Sequence, residues 1–201
     1  MNHIKSALYN IKKKYSTYYA AELYVSSQLS KSLPRSEYAI LSDLLLPNDG
    51  PFRTSQIDHL IVSPYGIFCI ETKSHKGWIS ASKARRLFTQ ILYKNRYPIS
   101  PNPVEQNIGH IKTINALLGD KLKTPIVNIV VFPSAQRFFV GGYENVGSVN
   151  DMIASIFEHS NKTYSYQETA NIIQIICEFN IKQTVEHAKH VERVRTIHAH
   201  A

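Results

Sequence analysis

The chain has 201 residues, of which 43% are hydrophobic and 19% charged, which excludes a disordered or fibrous protein and allows a core without staples. No apolar stretch approaches the roughly 18–20 residues needed to cross a bilayer, and the lysine-rich start lacks the apolar block of a secretory signal. The 23 basic residues outnumber the 15 acids, for a net charge of +8. Met1 to Arg35 holds six basic residues against Glu22 alone, and Lys73 to Arg96 holds seven with no acid. Clustered charge of this kind suits a polyanionic partner, nucleic acid above all. Cys69 and Cys177 both lie in apolar runs and form no disulfide framework, which fits a reducing, cytoplasmic setting.

Periodicity maps the elements. Lys5 to Leu33 reads as a helix with Tyr15, Tyr18, Glu22, Val25 and Leu29 on one stripe, stopped by Pro34. Tyr38 to Leu46, Ser55 to Ser63 and Gly66 to Lys73 read as strands, the last two joined by a hairpin at Ser63-Pro64-Tyr65-Gly66. Trp78 to Tyr97 reads as a basic loop with one or two short strands. Pro103 opens a helix running to Leu118, which Gly119 ends. Ile126 to Phe132 is an apolar strand expected to be buried on both faces. Asn150 to His159 and Gln167 to about Arg195 look helical, with a frayed tail after them. The order predicts an α/β fold: a mixed central sheet flanked by helices, α-β-β-β-α-β and then C-terminal helices. Residues 1–149 would form the main domain, and residues 150–201 a helical extension packed on it.

Two carboxylates break the core pattern: Asp58 in Gln56-Ile57-Asp58-His59 and Glu71 in Ile70-Glu71-Thr72-Lys73. Burying them is costly unless a cation pairs with them. With Pro64-Tyr65 as a two-residue turn, paired residue numbers sum to 129 and Asp58 opposes Glu71 on one face. A three-residue loop with Gly66 as a bulge would shift the sum to 130 and separate them. In the first register the two charges stand about 5 Å apart and repel by about 3 kcal/mol at an effective dielectric near 20. A divalent cation, Mg²⁺ or Mn²⁺, would remove that repulsion. Lys73, two residues beyond Glu71, falls on the same face, where it can orient a water or stabilise charge on a phosphate. The set suits metal-dependent phosphodiester hydrolysis. Glu22 faces the sheet from its helical stripe, where it either meets a basic neighbour or completes the acidic cluster. Gln106 near the next helix start can reach the same place, or can be an ordinary surface glutamine.

These stretches resemble the nuclease-related (NERD) domain, itself similar to the PD-(D/E)XK nuclease superfamily. The resemblance runs from about Ala20 to Pro133, on Leu41-Ser42-Asp43-Leu44-Leu45-Leu46, Gln56-Ile57-Asp58-His59, Val62 to Phe68, Ile70-Glu71-Thr72-Lys73, Gly77-Trp78-Ile79 and Asn102-Pro103-Val104-Glu105-Gln106-Asn107. It implies a restriction-endonuclease-like core and a divalent-metal nuclease site. Glu22 matches the family's first-helix glutamate, Asp58 its core aspartate, Glu71 and Lys73 its E-x-K pair, and Gln106 its glutamine. Ala21 and Phe88 depart from the family's frequent glycine and tryptophan. The resulting expectation is a DNA nuclease with Asp58, Glu71 and the Thr72 carbonyl on Mg²⁺. Lys73 would position water, and Lys76, Lys83, Arg85, Arg86, Lys94 and Arg96 would grip phosphates. Its rivals are a non-catalytic nucleic-acid-binding module on the same fold and an interaction domain whose helices after Asn150 form a homodimer surface. His187, His190, His198 and His200 read as a solvated helix and tail rather than a zinc site. His59 should point away from Asp58, His75 lies near enough to Lys73 to touch substrate, and Tyr93 and Tyr97 are candidates to stack on bases.

Overall fold

The computed structural model describes residues 2–50, 53–84 and 86–181. Helix α1 (Asn2–Ser32) buries Val25 and Leu29, with Leu33 just beyond its end, so the C-terminal part of the stripe read from the sequence is its sheet-facing side. Pro34 ends it by clashing with continued helix. Three strands follow as an antiparallel meander, β1 (Ala39–Pro47), β2 (Thr54–Ser63) and β3 (Gly66–Thr72). The β2–β3 turn contains only Pro64 and Tyr65, with Ser63 paired to Gly66. The Ser63 hydroxyl closes it, donating to the Gly66 carbonyl at 3.0 Å and accepting from the Tyr65 N–H at 3.2 Å.

The chain then leaves this sheet. Three strands, β4 (Gly77–Ser82), β5 (Leu87–Leu92) and β6 (Asn95–Ile99), stand where the sequence suggested a basic loop with one or two. They are short, half-exposed and rich in polar residues, so their alternation is blurred. Helix α2 (Pro103–Leu118) returns the chain to the first sheet. Asn102 caps it, its side-chain oxygen accepting from the N–H groups of Val104 and Glu105 at 3.0 and 3.4 Å, with Pro103 in the first turn. Strand β7 (Val127–Val131) then runs parallel to β3, its last three residues buried and its first two half-buried. Strand β8 (Ala135–Phe139) joins the second sheet, and the two-residue β9 (Val146–Gly147) closes the first. Helices α3 (Val149–Glu158) and α4 (Tyr166–Phe179) each begin with a capping box, Ser148 with Asp151 and Ser165 with Glu168. The continuation of the last helix to Arg195, the histidines from His187 onward and Arg85 lie outside the described residues.

The result is an α/β fold with a mixed sheet, β1-β2-β3-β7-β9, and a second sheet, β6-β5-β4-β8. Alternation in β2 and β3 sends Ile61, Phe68 and Ile70 toward α1 and α3, and Leu60, Val62, Ile67 and Cys69 toward α2 and α4. β3, the middle strand, is buried along its whole length. The parallel neighbours β3 and β7 pass through short links into β4 and β8, themselves parallel neighbours. A third apolar cluster, Ile79, Phe88, Ile99, Val130 and Phe132, welds the two sheets together there. Phe88, one of the two family departures, is fully buried in it. Among the described residues no helix is long and apolar enough to cross a membrane.

Candidate active site

At the end of β3 the hairpin follows the register that sums to 129: the ladder pairs Leu60 with Cys69 and His59 with Ile70. One step further, Asp58 stands opposite Glu71, on the face covered by α2. Asp58 Oδ2 accepts the Thr72 N–H at 2.7 Å, which fixes the half-buried carboxyl against β3. Glu71, only 3% exposed, has Oε1 2.7 Å from Lys73 Nζ, and that ammonium also donates to Gln106 Oε1 at 2.9 Å. Lys73 is thus held between the β3 carboxylate and the first turns of α2.

The structure adds a residue that sequence reasoning missed. His110, one helical turn after Gln106, places Nε2 3.3 Å from Glu71 Oε2, and its Nδ1 lies 2.6 Å from Ser55 Oγ on β2. The Nε2 contact is within ion-pair range but off hydrogen-bond geometry, so the buried Glu71 Oε2 has no hydrogen-bond partner among the described residues. The four-residue step from Gln106 was the available signal, since residues so spaced share a helix face. Asn107, fully buried between them, ties α2 to the sheet. Its amide N–H₂ lies within hydrogen-bond distance of the Cys69 and Ile129 carbonyls and Asn128 Oδ1, and its oxygen accepts from the Cys69 thiol. Burial pushes that thiol's pKa well up, so Cys69 is core filling.

Glu22 approaches from α1, half-buried, and acts on the cluster through space. Burial, then the charges of Asp43 and Glu71, push its pKa to about 7. Asp43 was not singled out beforehand. It lies on β1 opposite Asp58, where left-handed backbone (φ 52°) interrupts a ladder otherwise continuous from Ser42↔His59 to Leu44↔Ile57. Gln56 Nε2 donates to its carboxylate at 2.9 Å.

The electrostatics divide the acids. Burial raises Glu71, but Lys73 and His110 outweigh it and hold the group below the ordinary carboxylate range. Asp58 is pushed well above that range by burial and by Glu71 and Glu22, against the opposing Thr72 N–H and Lys73. The cluster therefore carries more acid than its own cations neutralise. Among the described residues no three His, Cys, Asp or Glu side chains converge into a ready-made metal cage. Two carboxylates with a surplus of negative charge and one unpartnered oxygen are nonetheless a hard-oxygen donor set that fits a divalent ion.

The remaining candidates scatter. His59 is buried on the opposite face with Nδ1 2.9 Å from Ser42 Oγ, and burial lowers its pKa to about 4. His75 packs edge-on against Phe132. Lys76, Lys83, Lys94 and Arg96 are exposed along the second sheet. Arg86 is exposed too but ion-paired to Glu105 at 2.8 Å. Tyr93 is wholly exposed at the β5–β6 turn.

Residues 18–133 match the nuclease-related domain, so the chain belongs to that family. It is also 30% identical over 177 residues to an uncharacterised protein of Bacillus anthracis, covering 86% of this chain and 81% of that one. No solved structure gives a significant match.

Proposed function

We propose that the protein is a metal-dependent nuclease that hydrolyses phosphodiester bonds in DNA. The observation that carries this reading is the buried Glu71–Lys73–Gln106 chain facing Asp58 at the end of β3. A structural ion pair would need only one acid for Lys73; here Asp58 and Glu22 are left over. Asp58, Glu71 and the Thr72 carbonyl would hold Mg²⁺ or Mn²⁺, which when bound would supply Lewis-acid polarisation of the phosphate and a more acidic water. Lys73, kept in place by Gln106, orients the attacking water and stabilises charge as it grows on the phosphate. His110 holds Glu71 from the side opposite Lys73. Glu22 tunes the charge of the cluster from α1. The exposed cations of the second sheet bind flanking phosphates.

Cleavage of plasmid, linear and single-stranded DNA with Mg²⁺, Mn²⁺ or EDTA tests the reading directly. Wild type should cut with metal and stop in EDTA, while Lys73→Ala and Asp58→Ala lose at least about 100-fold in rate. Cleavage surviving both substitutions would remove the site from the mechanism. Metal-independent DNA binding without cleavage of any substrate would instead identify a binding module on a nuclease fold.

A further inference from the structure

The second sheet has one face in the core and one that no other described element covers. Ile79, Phe88, Ile99 and Phe138 point inward to the cluster shared with Val130 and Phe132. On the outer face, cross-strand pairing lines up a row from β6 to β8: Arg96 opposite Ile91, Ile91 opposite Trp78, Trp78 opposite Arg137. Neighbouring strands lie about 4.8 Å apart, so the backbones of the two arginines stand roughly 14 Å from each other with Ile91 and Trp78 between them. Phe139 is next along β8, 51% exposed, its ring 5.7 Å from that of Trp78, itself 40% exposed. The Arg137 guanidinium lies 5.3 Å over the indole.

A local irregularity builds this arrangement. The β4–β8 register shifts between Gly77, paired with Ala135, and Trp78, paired with Arg137. Such a bulge re-aims the side chains that follow it. Gly77 has φ 81°, and a Cβ there would come within 2.6 Å of the Ile91 carbonyl and a Leu92 methyl, so the turn of the chain that delivers Trp78 to the outer face requires glycine.

We infer that this face is a stacking platform for single-stranded DNA, with bases on Trp78, Phe139 and the Arg137 plane and phosphates on Arg96 and Arg137. A duplex hides its base faces, whereas an unpaired strand offers flat apolar rings alternating with anions. That is the complement of aromatic surface flanked by cations. A second copy of this face would oppose arginine to arginine. The inference rests on the nuclease reading for the purpose of binding, since it names the form of strand delivered to that site.

Trp78 is the chain's one tryptophan and therefore a built-in reporter. The full-length protein in EDTA is titrated with oligo-dT of about 20 nucleotides, a blunt duplex of equal length, oligo-rU and inorganic polyphosphate. Oligo-dT should quench the tryptophan saturably and bind about tenfold tighter than duplex, and polyphosphate should leave the emission unchanged. Phe139→Ala should weaken oligo-dT binding about five- to twenty-fold without changing polyphosphate binding, and Phe139→Tyr, which keeps the ring, should restore it. Equal quenching by polyphosphate, tighter binding of duplex or oligo-rU, or indifference to Phe139→Ala overturns the platform. Cleavage measured in parallel separates the two ideas. Intact cleavage without quenching removes the platform alone, and saturable quenching of the wild type without cleavage of any substrate in any metal removes the nuclease reading alone.

Discussion

Glu71 is held below the ordinary carboxylate range inside a fully buried strand by Lys73 at Oε1 and by His110 beside Oε2. His110 is itself anchored by Ser55, so its ring is positioned before any substrate arrives. Partners that orient a ligating side chain typically change metal affinity by about 10–100-fold when removed. His110→Ala should therefore weaken Mg²⁺ binding by calorimetry to that extent, while His110→Asn, which can still donate toward Glu71, recovers part of it. Unchanged metal affinity in His110→Ala would make the histidine mere packing. The other two acids respond to pH in the opposite sense from Glu71. A carboxyl whose folded pKa is raised stabilises the fold below its ordinary value and loses that contribution as pH rises through the folded value. For Glu22 that window runs from about 4.5 to about 7. Between pH 5 and pH 8 the metal-free protein should thus lose stability relative to its Glu22→Gln variant, a comparison in which the opposing gain from neutral His59 cancels, and Mg²⁺ should raise Tm more at pH 8 than at pH 5. Glu22→Gln should stabilise the metal-free protein at pH 8 by about 1–2 kcal/mol, discounted for its partial exposure. Equal Mg²⁺ shifts at both pH values would show that the ion does not sit among these acids.

Helix α2 gathers the site because side chains within one and a half turns do different work: Gln106 takes Lys73, Asn107 takes the sheet, and His110 takes Glu71. Asn107→Ala leaves the Cys69 and Ile129 carbonyls and the Asn128 oxygen without their buried donor, at a cost of about 2–4 kcal/mol in urea unfolding. Because the same residue sets where α2 lies, the folded variant should also bind Mg²⁺ more weakly than wild type. Tight metal binding in a destabilised Asn107→Ala would uncouple the helix anchor from the site. What could be read in advance follows the same division by element. β2 and β3 were legible because clean alternation and a two-residue turn fix both the face and the register of Asp58 and Glu71. Gln106 was legible as a helix-start residue, but its partner Lys73 only through the fold. His110, Ser55 and Asp43 lie on three different elements, α2, β2 and β1, and their convergence depends on how α2 and β1 dock, which no local pattern encodes. β4, β5 and β6 escaped for another reason. Half-exposed strands carrying Ser, Thr, Gln, Asn and Arg blur the two-residue period, and only the docking of their sheet against Val130 and Phe132 gives them an inner side.

At the scale of the whole molecule, the +8 charge bears, on the nuclease reading, on how DNA would be held more than on how the chain folds. Lys76, Lys83, Arg86, Lys94 and Arg96 of the basic run lie exposed along the second sheet, with Arg137 added from β8. Not all of this charge is equally available. Glu105 in the first turn of α2 holds Arg86 at 2.8 Å, while Lys76, Lys83, Lys94 and Arg96 are exposed to an incoming phosphate. Each phosphate neutralised on a single strand contributes about −0.7 to the slope of log affinity against log salt. Four or five such contacts predict a slope near −3, measurable by fluorescence anisotropy in EDTA so that nothing is cut. Glu105→Gln releases Arg86 and removes a repelling charge, so it should tighten DNA binding several-fold at low salt and steepen the slope by about one contact. Lys94→Ala should do the reverse. A slope near zero, or one indifferent to both substitutions, would mean that DNA is not held along this sheet and that the basic surface serves some other partner.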